Sequence, residues 1–600
     1  MIITMANPED FFWEALLKEN EAPSPPPVLF DLPASTHLAS SDGTDPSLLD
    51  NQLLSYVSRM LMEDEMGCAA AAANLQCVER GSTEEASDLL PGTEVVRAFL
   101  KGMEEASKFL PSNNSFGKEE TVDQVSRHDH GRGRKKKNND RDKKQELEEE
   151  VGRSNKIAAL TIAGPEEAGA REMLNELMLR GHETCIKDME KLRIDMDNEA
   201  EKKKKKKSNK EEKDGSSKVV DLRMLLIQCA QAMATDNQQC AGELLKKIKQ
   251  HASATGDAMQ RVAHCFAKGL EARLDGSGRR LCQDQWRMSL VEFLKVYKLY
   301  MAACSFKKVA LIFASMTIMQ AVEGKGRLHI VDYGMRCGLH WPELFRRLGS
   351  REGGPPEVRI TIVDIPQPGF RPSQRIEASG CCLSRCAGEL GVPFRFQAVA
   401  AAKWETVGAN DLHIEPDEVL VVNDLFSFSA LMDESVFCDG PSPRDVALRN
   451  ISRMQPDVFI QGIANANHGA SFLSRFRGAL LYYSALFDML DATTPRESEL
   501  RLALEQNVLG PYALNTIACE GADLVERPEK YRQWQSRNHR AGMRQLPLRP
   551  DVVDAVREEV KTHHHKDFLL GEDGRWLLQG WMGRVLFAHS AWVPQDTSTG

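Results

Sequence analysis

The sequence predicts an α/β fold. We expect a Rossmann-like, mostly parallel sheet with helices on both faces, an N-terminal helical cap subdomain, and a largely disordered region before it. Three observations support this prediction. The composition changes at about residue 218, apolar residues repeat at helical spacing between about 220 and 323, and short apolar segments then alternate with helical ones. Strands that alternate with helices are typical of a parallel sheet covered on both faces.

The predicted domains follow these changes. Residues 1–217 form an N-terminal region and residues 218–595 a folded unit, in which 218–323 is the helical cap and 324–595 the α/β core. The whole chain has 600 residues and a net charge of -10, which excludes a polycation that coats nucleic acid. No signal peptide and no apolar run of membrane-spanning length is visible, so an intracellular, soluble protein is expected.

Residues 1–217 are predicted to be mostly disordered, because long polar and charged stretches bury too little apolar surface to offset chain entropy. Three islands mix bulky apolar side chains with carboxylates: Asp10–Leu17, Leu53–Glu65 and Phe99–Leu110. This composition is typical of segments that fold as helices against a partner. Local helix without a partner remains the alternative.

Two basic runs in this region fit nuclear-import signals or phosphate-contacting patches. Their residues are Arg134, Lys135, Lys136 and Lys137, then Lys202, Lys203, Lys204, Lys205, Lys206 and Lys207. A solvated charge run that only keeps the chain extended has the same composition, and the sequence leaves both interpretations open.

The cap is predicted from three amphipathic stripes. They comprise Leu222, Leu225, Leu226, Cys229 and Met233; Met259, Val262, Ala263, Phe266 and Leu270; and Val309, Ile312, Phe313, Met316 and Met319. Leu222, Leu225 and Leu226 also form an LxxLL motif, which can fill a partner's groove and is a partner-binding candidate. The core face of the first cap helix is the alternative.

In the α/β core, short β-branched segments predict strands and the stretches between them predict helices. The predicted strands are Leu328–Asp332, Val358–Asp364, Val419–Asn423 and Val458–Ile460, with later candidates at Asn515–Cys519 and Arg584–Ala588. The predicted helices are Glu343–Leu348, Ser373–Leu390 and Ala447–Met454.

Ligands of such sheets bind beyond the carboxyl ends of the strands. The residues at those ends are Asp332, Gly334, Gly338, Asp364, Asn423 and Asp424. An acid followed by a glycine-containing loop resembles the S-adenosylmethionine-dependent methyltransferases, in which an acid like Asp364 would bind ribose. Met335, Arg336 and Cys337 lie between the glycines, however, and bulky side chains there would crowd a cofactor.

No acid–base pair or Cys–His arrangement accompanies this edge, and a lone acid such as Asp424 is typical of a helix cap. We therefore predict a vestigial pocket or a ligand-sensing one, with no catalytic residue and no cofactor. The 14 cysteines show no ligand spacing and are interpreted as free thiols, while His563–His565 are interpreted as a solvated loop rather than a metal site.

Six ordered segments between residues 218 and 595 resemble the plant GRAS family of transcriptional regulators. They are Leu222–Leu274, Leu328–Pro342 (LHIVDYGMRCGLHWP), Leu420–Phe428, Asp445–Leu490, Ala518–Leu548 and Trp576–Trp592. The first and fourth are similar to the family's two leucine-rich regions, the second to its VHIID motif and the last to its SAW motif. The N-terminal islands resemble the scarecrow-like branch, which has long acidic, disordered N-termini.

The resemblance implies a methyltransferase-like core with a helical cap that is not a known methyltransferase. It also implies a nuclear co-regulator, with a cytoplasmic pool allowed, that binds DNA-bound transcription factors and other nuclear regulators, or dimerises with other GRAS proteins. The motif residues taken as structural are Glu526, Arg527, Pro528, Trp534, Arg537, Trp576, Trp581 and Trp592. Glu526 and Arg527 are expected to form an ion pair.

Departures from the family pattern are visible at several positions. The family usually has Phe where Tyr333 stands and an aromatic residue where Cys337 stands, and Asp424 and Ser427 replace its usual Cys and Arg. Leu509–Tyr512 replaces a Tyr-Gly-Arg-Glu pattern and so lacks an expected charged pair.

Two other functions remain as alternatives. One is a methyltransferase or small-ligand sensor that uses the strand-end pocket. The other is direct, sequence-specific DNA binding, which needs a basic surface. Arg532, Arg537, His539, Arg540 and Arg544 offer one.

Overall fold

The computed structural model describes residues 165–208, 220–284, 288–334, 338–367, 369–434, 436, 440–469 and 471–595. The three acidic-apolar islands and the first basic run lie outside the described residues. So do Met335, Arg336 and Cys337, whose crowding effect stays a prediction.

A long helix, α1 (Pro165–Ser208), lies before the residue at which the sequence placed the start of the folded unit. Its Ala170, Leu174 and Met178 are buried, at a spacing of four residues that keeps them on one face of a helix. The helix kinks at Arg180, which has non-helical backbone angles. The sequence analysis missed α1 because the apolar stripe is thin and charged residues dominate the rest. Lys202–Lys207 form part of its last turns.

Among the described residues, six helices build the cap, as predicted for this region: α2 (Leu222–Ala234), α3 (Gln238–His251), α4 (Ala258–Leu274), α5 (Gly278–Asp284), α6 (Leu290–Ala303) and α7 (Ser305–Ala321). Side chains define several of their starts. Asp221 accepts a hydrogen bond from the Met224 amide, and Asp257 with Gln260 forms a capping box. Helix α1 packs against α6.

The core is a nine-stranded sheet. Its strands are β1 (Arg327–Tyr333), β2 (Glu357–Asp364), β3 (Phe394–Ala400), β4 (Val419–Leu425), β5 (Val458–Ala464), β6 (Met543–Gln545), β7 (Phe568–Asp573), β8 (Trp576–Trp581) and β9 (Arg584–Pro594). The order is β3-β2-β1-β4-β5-β9-β8-β7, and β6 pairs with β9. The first five strands are parallel, whereas β6 to β9 join by antiparallel pairs.

The remaining helices connect these strands: α8 (Trp341–Gly349), α9 (Gln374–Glu389), α10 (Ala409–Leu412), α11 (Pro443–Arg453), α12 (Phe472–Thr493), α13 (Glu499–Leu504), α14 (Gly510–Ala518), α15 (Tyr531–Arg540) and α16 (Pro550–His563). The four predicted core strands, the late strand at Arg584 and the three predicted core helices are therefore confirmed. Asn515–Cys519 is wrong as a strand, because all of it except Cys519 lies in α14, which starts beside Pro511.

Both faces of the sheet are covered by packed side chains. Alternate residues of a strand point to opposite faces, so neighbouring residues join different cores. Leu328 and Ile330 of β1 join the larger apolar core, which also contains cap residues. Val331 and Tyr333 join a second core with α11 and four tryptophans. The carboxyl ends of β1 and β4 thus lie between two packed layers.

Candidate functional site

Asp332, at the end of β1, is buried and surrounded by donors. Its Oδ1 accepts a hydrogen bond from Asn423 Nδ2 at 2.8 Å. Its Oδ2 accepts one from Trp341 Nε1 at 3.0 Å and lies 3.0 Å from His340 Nε2. Asp332 and Asn423 are direct register partners on adjacent parallel strands. The carboxylate therefore ties β1 to β4 and to the start of α8.

Gly334 adopts a left-handed backbone, with φ of +77°, directly after β1. A Cβ atom there would lie 2.4 Å from Ser427 Oγ and 2.6 Å from Ser427 Cβ. The space that a glycine would leave open for a ligand is thus occupied by a side chain from the segment after β4. Gly338, with φ of +64°, has only ordinary contact with Leu383, at 3.8 Å.

Asp364, at the end of β2, is the acid that would bind a ribose in a methyltransferase. Its Oδ2 accepts a hydrogen bond from Arg375 Nη2 at 3.2 Å, and its Oδ1 accepts one from the Ile365 amide at 2.7 Å. Both side chains are mostly buried. The carboxylate is therefore engaged by the first turn of α9 and not left open toward the edge of the sheet.

Asp424 acts as a cap, as its isolation predicted. Its Oδ1 accepts hydrogen bonds from the amides of Ser427 and Phe428, at 2.8 and 3.0 Å. These amides open a short 3-10 helix, Ser427–Ala430, whose N-cap residue Phe426 is left-handed with φ of 75°. An acid in this position stabilises the turn.

Five of the six predicted pocket residues lie at the carboxyl ends of the adjacent strands β2, β1 and β4: Asp332, Gly334, Asp364, Asn423 and Asp424. Gly338 lies farther along the chain, shortly before α8. Asp332, Asp364 and Asp424 each accept hydrogen bonds from neighbouring protein groups, and Asn423 donates to Asp332. The sequence analysis named Ser427 only as a departure from the family pattern, and it missed Trp341, His340 and Arg375. Of these, Trp341 and His340 could have been found, because they open the helix that follows the strand-end acid.

A second polar cluster surrounds Arg537 of α15, which is buried. Its guanidinium donates to Glu434 at 2.7 Å, to Asp445 at 2.7 Å and to Glu529 at 2.7 Å. Burial raises the pKa of Glu434, but its hydrogen bonds with Arg537 and the positive charge of that residue outweigh this effect and lower it to about 2. Arg537 therefore joins α15 to α11 and to the segment before it.

Arg444 and Arg527 extend this cluster. Arg444 is fully buried, lies 2.8 Å from Glu529 and stacks over the Trp534 ring at 5.5 Å. Arg527 has a carboxylate partner that the sequence analysis did not name: Asp433, at 3.9 Å. The carbonyl of Pro528 accepts a hydrogen bond from the His468 amide. These residues hold connecting segments in place.

The tryptophans of the C-terminal motifs are core residues. Trp534, Trp576, Trp581 and Trp592 are all nearly fully buried. The indole of Trp581 donates to Asp488 at 2.8 Å, and that of Trp592 donates to Ser590 at 2.7 Å.

Leu222, Leu225 and Leu226 of the LxxLL motif are also buried in the larger core. Burial is what the alternative interpretation, a core-facing first cap helix, requires. Their role in partner binding stays a prediction, and it would need α2 to move away from its neighbours.

The basic strip is weaker than the sequence suggested. Arg537 is buried among carboxylates, and Arg532 is exposed but pairs with Asp573 at 3.0 Å. Arg540 lies 3.6 Å from Asp445. His539 and Arg544 are exposed. The arrangement leaves few of the five cations to meet phosphates.

A small apolar patch lies at the other end of the sheet. Leu569 of β7 and Val585 of β9 flank Gly580 of β8 in register, and Met582 lies in the adjoining turn. These three side chains are 44%, 37% and 62% exposed. The sequence analysis did not predict this patch.

In the part of the chain that the structure describes, no group of three or more His, Cys, Asp or Glu side chains could hold a metal ion. The ten described cysteines are free. No single described helix is long and apolar enough to cross a membrane; α6 and α7 pass that test only as a pair bent by 83°.

Comparisons with known proteins point to one family. The model of the GRAS domain family matches residues 222–593. Scarecrow-like protein 9 of Arabidopsis thaliana is 45% identical over 387 residues, which cover 64% of this chain and 53% of that protein. Scarecrow-like protein 14 of the same plant is 38% identical over 551 residues, covering 85% and 71%.

Two further matches add a named function and a solved structure. Scarecrow-like transcription factor PAT1 of A. thaliana is 33% identical over 380 residues, covering 62% of this chain and 76% of that protein. The crystal structure of SCL7 from Oryza sativa is 29% identical, with a TM-score of 0.54, and covers 62% of this chain and 100% of that one.

Proposed function

The chain belongs to the GRAS domain family, and from this membership we propose that it is a nuclear regulator of transcription that works by binding other regulators. That it is a GRAS-type plant regulator follows from the family match and the scarecrow-like relatives. The name of one relative, PAT1, describes that protein as a transcription factor. The finer role of this chain is our proposal.

The observation that carries the non-catalytic part of the proposal is that protein groups already engage the strand-end positions that a methyl donor would contact. Ser427 fills the space beside Gly334, and Asp364 is paired with Arg375. A cofactor would have to displace a packed side chain and break a buried ion pair before it could bind. This arrangement favours a binding platform over a methyltransferase.

We place one partner surface at the patch of Leu569, Met582 and Val585. Exposed apolar side chains that are adjacent in space mark surfaces that a partner covers, whereas isolated ones are common on any protein. The proposed occupant is another transcription regulator, which would bury these side chains against an apolar face of its own. Direct DNA contact is less well supported, because Arg537 is buried and Arg532 is paired.

The test uses the full chain in plant protoplasts, fused to a heterologous DNA-binding domain that directs it to a reporter gene. We expect nuclear accumulation and a changed reporter output. Leu569→Glu with Val585→Glu should abolish the change without lowering protein level, since both residues are exposed. Leu481→Glu, at another exposed leucine, is the matched control and should behave as the wild type. A chain that stays out of the nucleus and leaves the reporter unchanged would contradict the proposal.

A further inference from the structure

A cavity of ≈ 250 Å³ lies between the cap and the carboxyl edge of the sheet. Its walls come from α6, α7 and α12, from the segment between α13 and α14, and from the ends of β1 and β4. It is separate from the polar cluster around Arg537. Nothing in the proposed regulatory role requires a cavity here.

Aromatic side chains dominate the walls. Five of the eight tyrosines of the chain line this one space: Tyr297, Tyr300, Tyr482, Tyr483 and Tyr512. Phe293, Phe306, Phe426 and Phe587 lie among them. A tyrosine offers a large, rigid apolar face at low conformational cost, which suits a ring-shaped ligand.

The polar atoms that face the cavity already have partners within the protein. Asp332 accepts from Asn423 and Trp341. Ser429 Oγ donates to the Phe426 carbonyl at 2.8 Å. The hydroxyl groups of Tyr300 and Tyr483 form hydrogen bonds with Cys304 and Thr516. The surface left for a ligand is therefore mostly carbon.

Besides Asp332, whose carboxylate is engaged by Asn423 and Trp341, two opposite charges line the space. Lys307 Nζ lies 4.7 Å from the centroid of the Tyr297 ring, and Glu526 contributes a carboxylate. Because these charges balance, the lining does not favour a charged ligand of either sign. These two charged side chains would suit a ligand that carries a single hydroxyl or carbonyl group at one end.

The volume limits the size of the occupant. A cavity of about 150 Å³ takes up benzene, so this one matches a molecule of roughly two fused rings. The space is enclosed on several sides by helices and strand ends, which excludes a folded partner. We propose that this cavity binds a small, uncharged, two-ring compound that carries one hydroxyl or carbonyl group.

The probe is 2-naphthol, and the experiment is equilibrium dialysis against the full 600-residue chain. We expect saturable binding of one molecule per chain. Leu486→Trp on α12 fills the cavity and should weaken binding at least about tenfold, or about 1.4 kcal/mol. Leu481→Trp, on the same helix but 51% exposed, is the matched control and should bind as the wild type does.

A second variant keeps the test decisive if Leu486→Trp misfolds. Val508 is only half-buried and also lines the cavity, so Val508→Trp should weaken binding to a similar extent. Near-ultraviolet circular dichroism checks that each variant keeps its tertiary packing. The proposal is overturned if the wild type shows no saturable binding, or if well-folded Val508→Trp binds 2-naphthol as tightly as the wild type. Naphthalene-2-sulfonate that binds as tightly as 2-naphthol would overturn the uncharged class.

Discussion

The carboxylate of Asp332 accepts a hydrogen bond from Asn423 Nδ2 at 2.8 Å, and the two residues are register partners at the ends of β1 and β4. In a sheet of this type, that edge is where a ligand binds. Here Asp332 and Asn423, whose side chains could bind a ligand, are hydrogen-bonded to each other instead. The edge is therefore part of the fold's internal bonding.

The space beside Gly334 gives the first prediction. Gly334→Ala should destabilise the protein more than Gly338→Ala, because both sites are left-handed but only the first brings Cβ to 2.4 Å from another side chain. The backbone strain alone costs about 1–2 kcal/mol at either site. Urea unfolding of the full chain measures the difference. Adding Ser427→Gly should recover the steric part of the loss at Gly334 and none of the loss at Gly338. Equal costs for the two alanines would show that Ser427 does not fill this space.

Asp332 gives the second prediction. Asp332→Asn should lower the free energy of unfolding by about 1–3 kcal/mol, because the new amide group turns a buried acceptor into a donor that faces other donors. The matched control is Asp551→Asn, in the exposed pair with Arg549, for which we expect at most about 1 kcal/mol. Denaturant titration compares the two. Similar small losses would mean that the Asp332 network is not a structural tie.

The charged cluster of α15 gives the third prediction. Arg537→Met should cost about 3–5 kcal/mol, because Glu434, Asp445 and Glu529 would lose a shared partner in a mostly buried place. Arg532→Met removes an exposed arginine of the same helix and should cost less than about 1 kcal/mol. Thermal unfolding ranks the variants. Equal losses for the two substitutions would show that Arg537 does not join α15 to α11 and the segment before it.

Three buried histidines give the fourth prediction. Burial lowers the pKa of His329, His468 and His589 to about 3, with nearby Arg359 and Arg475 adding to the effect at the first two. From about pH 6.5 down to about 3 the unfolded chain binds protons that the folded chain does not. The free energy of unfolding should therefore decrease as the pH decreases through that window, by up to about 1.4 kcal/mol per pH unit for each histidine.

His468 allows this to be checked at one site. Neither of its ring nitrogens has a hydrogen-bond partner among the described residues, so His468→Phe removes a titrating group without removing such a bond. The variant should lose stability less steeply than the wild type between pH 6.5 and 5. His251→Phe, at an exposed position, should keep the wild-type slope. If His468→Phe loses stability with decreasing pH as steeply as the wild type does, His468 does not contribute to this pH dependence.

The sequence predicted strands that contain a short, β-branched apolar segment. Strand β4 is buried at every position and begins with four apolar residues, so it was found. Strand β3 is half-buried along most of its length, and its weaker apolar pattern was missed. Asn515–Cys519 was assigned to a strand from a short β-branched run, although Pro511 at the start of α14 favours a helix.

The site was predictable only in part for a related reason. Asp332, Gly334 and Asp364 lie at or directly after the ends of strands. A position at a strand end can be inferred from a single segment of the sequence. The contact of Ser427 with Gly334 joins two loops that are far apart in the chain. Such tertiary neighbours are fixed by the order of the strands, which local patterns do not contain.

The most direct test of the central claim, that protein groups already engage the strand-end positions of a methyl donor, is thermal unfolding of the full chain with S-adenosylmethionine at about 1 mM. A ligand present at about 100 times its Kd would stabilise the folded state by about 2.7 kcal/mol. We predict no change in Tm, because Ser427 fills the space beside Gly334 and Asp364 is paired with Arg375. A saturable rise in Tm that Asp364→Asn abolishes would contradict the account.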